Sequence, residues 1–151
     1  MTISDQFRIE DYFLGHVCAE GLVEDRFGKV RRKFSVTIDG YAEGDEFTLD
    51  ERFQFDDGEQ TTRIWHVRKI ADDQYEGRAD DVIGIACGRA DGPELKWAYT
   101  MRLPIGKHTW AIGFDDRMFL RDDGVMLNIA EMRKWGLVIG RITIAFRRPV
   151  A

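Results

Sequence analysis

The chain is poor in the residues that most often declare a chemistry. Its 2 cysteines, Cys18 and Cys87, stand far apart in no CxxC or Cys/His pattern, so neither a disulfide framework nor a structural zinc site is indicated and reduced thiols are the expectation. Its 3 histidines, His16, His66 and His108, fall on separate expected strands with no metal-ligand spacing, so each reads as a surface or hydrogen-bonded side chain and no metal is expected. With 3 prolines, no repeat and no low-complexity tract, there is no linker at which to divide the chain. Nowhere do about 18 apolar residues run together, the length a membrane span needs, and Met1-Thr2-Ile3-Ser4-Asp5-Gln6 has neither the basic nor the apolar part of a secretion signal. The sequence reads as neither secreted nor membrane-spanning, with the cytoplasm as its expected location. Basic residues do not prevail: 22 stand against 27 acidic, a net charge of -5, which argues against nucleic acid or an anionic membrane as a partner.

Signature motifs are missing as well. No GxSxG, HExxH or GxxxxGK[ST] occurs, and the glycines around Gly84 and Gly88 do not make GxGxxG, so no nucleotide or other cofactor is expected. The acidic loop from Asp72 puts Gly77 in the sixth place of an EF-hand, but the twelfth place holds Ile83 where a bidentate Glu is required.

What the chain does have is apolar and aromatic substance, 44% and 12% of 151 residues, enough for one domain over 1–151 with a core of its own. Turn signals recur along it, among them Asp56-Asp57-Gly58, Asp91-Gly92-Pro93 and Asp122-Asp123-Gly124. Between them apolar side chains alternate with period two: Val30, Phe34, Val36 and Ile38; Phe47, Leu49, Phe53 and Phe55; Leu95, Trp97, Tyr99, Met101 and Leu103; Trp110, Ile112, Phe114, Met118 and Leu120. Less regular strands are expected over 13–24, 60–70, 75–79, 125–132 and 137–146. Helix signal is confined to a short turn within 5–13 and to 80–87, where an Asp can cap; 128–135 reads either way, with its flanks favouring a strand. About nine or ten strands joined by tight turns lose their edges by closing on themselves. The expected fold is an all-β, antiparallel up-and-down barrel of lipocalin-like kind with little helix, a two-sheet sandwich being the alternative.

Parity then exposes an anomaly. Glu51 is in phase with Leu49 and Phe53, Arg32 with Val30 and Phe34, Arg63 with Trp65 and Val67, and Asp116 with Phe114 and Met118, so four strands each send one charge toward the interior. Buried charges must pair, meet water or meet a ligand, because an isolated one costs several kcal/mol. One reading is a neutral structural network in a barrel filled with side chains, a structural or interaction domain. Another is the polar part of a cavity: Arg32, Glu51, Arg63 and Asp116 orient one end of a small amphipathic molecule, a carboxylate among the candidates, while Trp65, Trp97 and Tyr99 cover the rest. A third is an enzyme on the same barrel, in which Arg and Glu with Tyr99 transfer a proton on an acidic aromatic substrate. The expected partner is a small hydrophobic or amphipathic molecule, with self-association as a homodimer compatible with the sequence.

The order of segments resembles an uncharacterised bacterial family, the domain of unknown function DUF3833, whose members are often predicted lipoproteins. The resemblance is carried by Glu10-Asp11-Tyr12-Phe13-Leu14-Gly15, Leu49-Asp50-Glu51-Arg52-Phe53, Arg63-Ile64-Trp65, Tyr75-Glu76-Gly77-Arg78-Ala79-Asp80-Asp81-Val82, Trp97-Ala98-Tyr99, Phe114-Asp115-Asp116-Arg117-Met118 and Met132-Arg133-Lys134-Trp135-Gly136. It spans nearly the whole chain. Two positions depart from the pattern: Arg117 stands where a tryptophan usually follows the paired aspartates, and Ile129 where an arginine follows Asn128. No lipobox is seen. The family has no established activity, so the resemblance adds little about function.

Overall fold

The computed structural model describes residues 6–149. A short helix, α1 (Ile9–Tyr12), precedes ten strands: β1 (Gly15–Asp25), β2 (Val30–Glu43), β3 (Glu46–Phe55), β4 (Gln60–Ala71), β5 (Gln74–Arg78), β6 (Val82–Asp91), β7 (Glu94–Ile105), β8 (His108–Leu120), β9 (Met126–Lys134) and β10 (Leu137–Arg147). Each strand pairs antiparallel with its neighbours in the chain, and β1 pairs with β10 to close the ring. This is the expected up-and-down barrel; closure leaves no free sheet edge and removes the sandwich alternative.

The alternation of side chains has the physical basis that the sequence suggests. In β2, Phe34, Val36 and Ile38 are buried while Ser35, Thr37 and Asp39 face solvent, so one face packs and the other is hydrated. The turn after β3 shows why Asp-Asp-Gly suits a tight connection. Gly58 takes φ 92°, its N–H donates to the Phe55 carbonyl at 3.0 Å, and Asp57 Oδ1 accepts from the Glu59 N–H at 3.0 Å.

Two segments need correction or decision. Residues 80–87, where a helix is expected, instead lead into and form most of β6. Its inward positions hold Val82, Ala86, Gly88 and Ala90, while Ile83 and Ile85 are exposed, so the apolar signal of this strand is inverted. Small residues sit inside because large ones already fill the space: a Cβ on Gly88 would lie 2.3 Å from the Trp97 ring, and one on Gly77 2.6 Å from it. Gly84 at φ 71° and a register shift between Ile83 and Cys87 further break the period. The ambiguous 128–135 is strand up to Lys134, followed by a turn in which Trp135 has φ 53°.

One end of the barrel is plugged. Phe7, Ile9, Tyr12 and Phe13 are all at most 8% exposed, each burial worth roughly 1.5–3 kcal/mol. The plug is tied to the rim by the Phe7 N–H donating to the Gly92 carbonyl at 2.7 Å and by the Tyr12 hydroxyl donating to the Phe146 carbonyl at 3.3 Å. Glu10 takes a hydrogen bond from the Tyr75 hydroxyl and one from Lys69 Nζ at 2.8 Å. The chain crosses so closely over β2 that a Cβ on Gly40 would fall 1.8 Å from the Phe13 carbonyl oxygen, which explains a glycine there. The helix expected within 5–13 is α1, and Asp5 lies outside the described residues. The opposite end, with the β1–β2, β3–β4, β5–β6, β7–β8 and β9–β10 turns, carries no such plug among the described residues.

Candidate functional site

The interior is not filled. A cavity of about 600 Å³ runs from the plug residues Ile9 and Phe13 to the unplugged mouth, where Arg32, Glu59 and Ile105 line it. Its walls are largely aromatic. Trp65 meets Trp97 edge-on at 5.5 Å between ring centroids and Tyr99 at 5.3 Å, and Tyr99 stacks on Phe114 at 5.1 Å. Trp110, although in phase with Phe114, sits toward the mouth against the exposed Trp135 at 5.3 Å.

The polar residues that the sequence assigns to the interior are placed as follows. Glu51 and Arg63 are direct cross-strand neighbours on β3 and β4, and Asp116 stands on β8 opposite Trp97 of β7; all three line the cavity. Arg32 does not join them. It lies at the mouth, 33% exposed, pairs with Asp57 at 2.9 Å and Glu59 at 2.7 Å, and covers the Phe55 ring at 3.7 Å from its centroid. The period-two pattern gives its face correctly, but its position near the start of β2 puts it at the rim. The inward charges are therefore not two of each sign.

Arg63 has a different principal partner from the one its strand neighbour suggests. Asp81, in the β5–β6 turn, accepts from Arg63 Nε at 3.0 and 3.1 Å and from Nη2 at 2.9 Å, a bidentate geometry, whereas Glu51 approaches Nη1 only to 3.9 Å. Arg63 Nη2 also donates to Met101 Sδ at 3.3 Å. On the far wall Asp116 Oδ2 accepts from the Tyr99 hydroxyl at 3.2 Å and from Asn128 Nδ2 at 3.2 Å. Asp116 Oδ1 and Asn128 Oδ1 are buried and have no hydrogen-bond partner.

Sequence reasoning missed Asp81 and Asn128 as site residues. Asn128 lies in phase with Met126 and Ala130 on β9, the same parity signal that marks Glu51. It was hidden by the helix-or-strand ambiguity of its segment. Asp81 sits in a turn, where parity says nothing.

The electrostatics follow from this geometry. Burial pushes the Glu51 carboxyl up to about 7, with Asp81 and Asp116 adding to the rise and Arg63 and Trp65 opposing it. Burial likewise pushes Asp116 up to about 7, against the hydrogen bonds from Asn128 and Tyr99. Burial, followed by the Asp116 charge, raises the Tyr99 hydroxyl well above its ordinary value. Burial disfavours the Arg63 cation, but hydrogen bonding to Asp81 and the Glu51 charge outweigh it and hold the guanidinium charged. The arrangement can accept hydrogen bonds or a proton near neutrality, and its rings offer flat apolar surface beside those groups.

On the outer wall, Cys18 Sγ lies 3.5 Å from His16 Nε2, and His16 Nδ1 is 2.9 Å from Asp39 Oδ1. These groups lie on an open strand face, with His16 and Asp39 about half exposed, and are not part of the cavity lining.

The family described as Protein of unknown function (DUF3833) matches over residues 2–148, the family that the sequence blocks resemble. No curated protein matches. Among solved structures 9 chains match. One is the S-type phycobiliprotein lyase CPES from Guillardia theta, similar over 95% of this chain and 92% of its own, with a TM-score of 0.64 at 5% sequence identity. At that identity the likeness is one of fold.

Proposed function

We propose that this chain, which belongs to the DUF3833 family, holds a small amphipathic molecule inside its barrel. The observation that carries the reading is the cavity itself: about 600 Å³, unplugged at one end, with aromatic walls around a small group of polar side chains. That size lies within the range of ligand pockets, and the mixture of apolar walls with a few convergent polar groups is the usual composition of one. A barrel built only as a structural or interaction module has no need of such a space, which forgoes packing contacts across its whole lining.

The test is a titration with N-phenyl-1-naphthylamine, a neutral fluorophore that brightens in apolar surroundings. Saturable binding of one molecule per chain is expected, with energy transfer from Trp65 and Trp97, which line the cavity. No saturable signal, or binding without transfer, would show that the cavity is not used.

A second reading has its own support. Glu51 and Asp116 sit near 7 in the cavity beside Tyr99, where a general base works best, and the structurally similar CPES is named as a lyase. A bell-shaped pH-rate profile on a bound substrate, lost in Glu51→Gln, is what the enzymatic reading expects.

A further inference from the structure

We infer that the molecule held in the cavity turns hydrogen-bond donors, and not a carboxylate, toward Glu51, Asp116 and Asn128: a flat aromatic body ending in an amidine-, amine- or azole-like N–H group. The inference rests on the cavity being a binding site and goes further by fixing the chemistry of the ligand's polar end.

Three independent features of the site support it. First, the two partnerless atoms beside Tyr99 are acceptors, the third in the barrel being the Arg32 Nε donor out at the mouth. Asp116 Oδ1 and Asn128 Oδ1 have none, on residues 5% and 4% exposed, and the nearest basic atom to the Glu51 carboxylate is 3.9 Å away. A buried acceptor without a donor carries a desolvation cost that a donor-bearing ligand removes and a carboxylate worsens.

Second, most of the donors that a carboxylate would need are already engaged, the exceptions being Arg32 Nε at the mouth and Arg63 Nη1, which the Glu51 carboxylate approaches only to 3.9 Å. Arg63 directs Nε and Nη2 at Asp81, Tyr99 donates to Asp116, and Arg32 is held at the mouth by Asp57 and Glu59. Third, the charge count is one-sided. The cavity lining carries four carboxyl groups, Glu51, Glu59, Asp81 and Asp116, against three guanidinium groups, Arg32, Arg63 and Arg102, a net of -1 when all are ionised. Arg32 pairs with Glu59 at the mouth and Arg102 is exposed, which leaves Arg63 as the one buried guanidinium beside Glu51, Asp81 and Asp116. A ligand carboxylate brought here meets like charge in a medium that screens poorly, whereas a cationic or N–H-bearing end meets its complement. The stacked Tyr99 and Phe114 and the edges of Trp65 and Trp97 leave flat walls beside these acceptors, which selects a planar body.

The experiment compares three probes of one shape, 2-naphthamidine, 2-naphthamide and 2-naphthoic acid, by their displacement of N-phenyl-1-naphthylamine from the intact protein. The expected order is amidine, then amide, then acid, with the amidine about tenfold or more tighter than the acid. Asp116→Asn and Glu51→Gln keep shape and remove charge; together they should abolish the preference of amidine over amide while the amide still binds. Acid binding as tight as amidine, or a preference unchanged in both variants, overturns the inference. If the fluorophore binds but none of the three displaces it, the inference fails and the cavity reading survives. If the fluorophore does not bind, both fail. The comparison of amidine with acid on the unaltered protein decides the matter even where a variant does not fold.

Discussion

Two carboxyl groups kept near 7 in a barrel interior should make the stability of the empty protein fall as the pH rises. In the folded chain Glu51 moves from 4.5 to about 7 and Asp116 from 3.8 to about 7, burial being the main cause in each. Between the unfolded and folded values the folded chain binds more protons than the unfolded one, so raising the pH through that window removes stability and raising it further changes nothing more. At 1.36 kcal/mol per pH unit, the Glu51 displacement alone corresponds to about 3 kcal/mol, and that of Asp116 to about 4 kcal/mol. The two charges act on each other in the same cavity, so the joint effect is smaller than the sum. An overall loss of about 3–5 kcal/mol between about pH 5 and about pH 8 is expected. Glu10 works in the opposite direction: its folded value is lowered, burial notwithstanding, by hydrogen bonds from Lys69 and Tyr75, so its contribution is lost only as the pH falls into the acid range. The assay is urea unfolding followed by tryptophan emission at steps across that interval, on the native sequence, Glu51→Gln and Asp116→Asn. Each variant should flatten the slope and be more stable than the native chain at the alkaline end. A native stability that is level or rises with pH, or variants that keep the full slope, would refute the reasoning.

Other outcomes follow from the same contacts. Double-mutant cycles should give a larger coupling for Arg63 with Asp81 than for Arg63 with Glu51, by about 1 kcal/mol or more, because only Asp81 makes the bidentate contact; equal couplings would contradict the geometry. Gly88→Ala should cost about 1–3 kcal/mol and alter tryptophan emission, because its Cβ would overlap the Trp97 ring. Gly44→Ala, whose Cβ meets nothing within 4 Å, should leave the emission of Trp97 unchanged while costing some stability for its φ of 65°.

The barrel was largely legible because most strands bury one face, so period two survives in the sequence. The nine expected strands correspond to β1–β5 and β7–β10. The tenth, β6, escaped because its inward positions are Ala86, Gly88 and Ala90, reduced in size by the rings opposite, and because isoleucines occupy its outer face. The candidate site was legible in facing and not in depth. Parity aims Arg32 and Glu51 inward alike, yet whether a side chain lies mid-barrel or at the mouth depends on stagger between strands, which one strand's pattern does not contain. Partnership was equally hidden. Arg63 and Glu51 are neighbours across the ladder, but the shorter contact goes to Asp81, 18 residues along the chain and placed by a turn. Consequently the charge balance inferred from parity, two of each sign, becomes an excess of carboxyl groups around Arg63 in the folded molecule, which is the ground for proposing a donor-ended ligand in place of a carboxylate-ended one.

The most direct test is a crystal structure of the protein grown with 2-naphthamidine at saturating concentration. The ring system should lie among Trp65, Tyr99 and Phe114, with amidine nitrogens within hydrogen-bond distance of Asp116 Oδ1 or the Glu51 carboxylate. A cavity left empty at saturation, or a ligand seated with its amidine toward the mouth and away from those acceptors, would contradict the account.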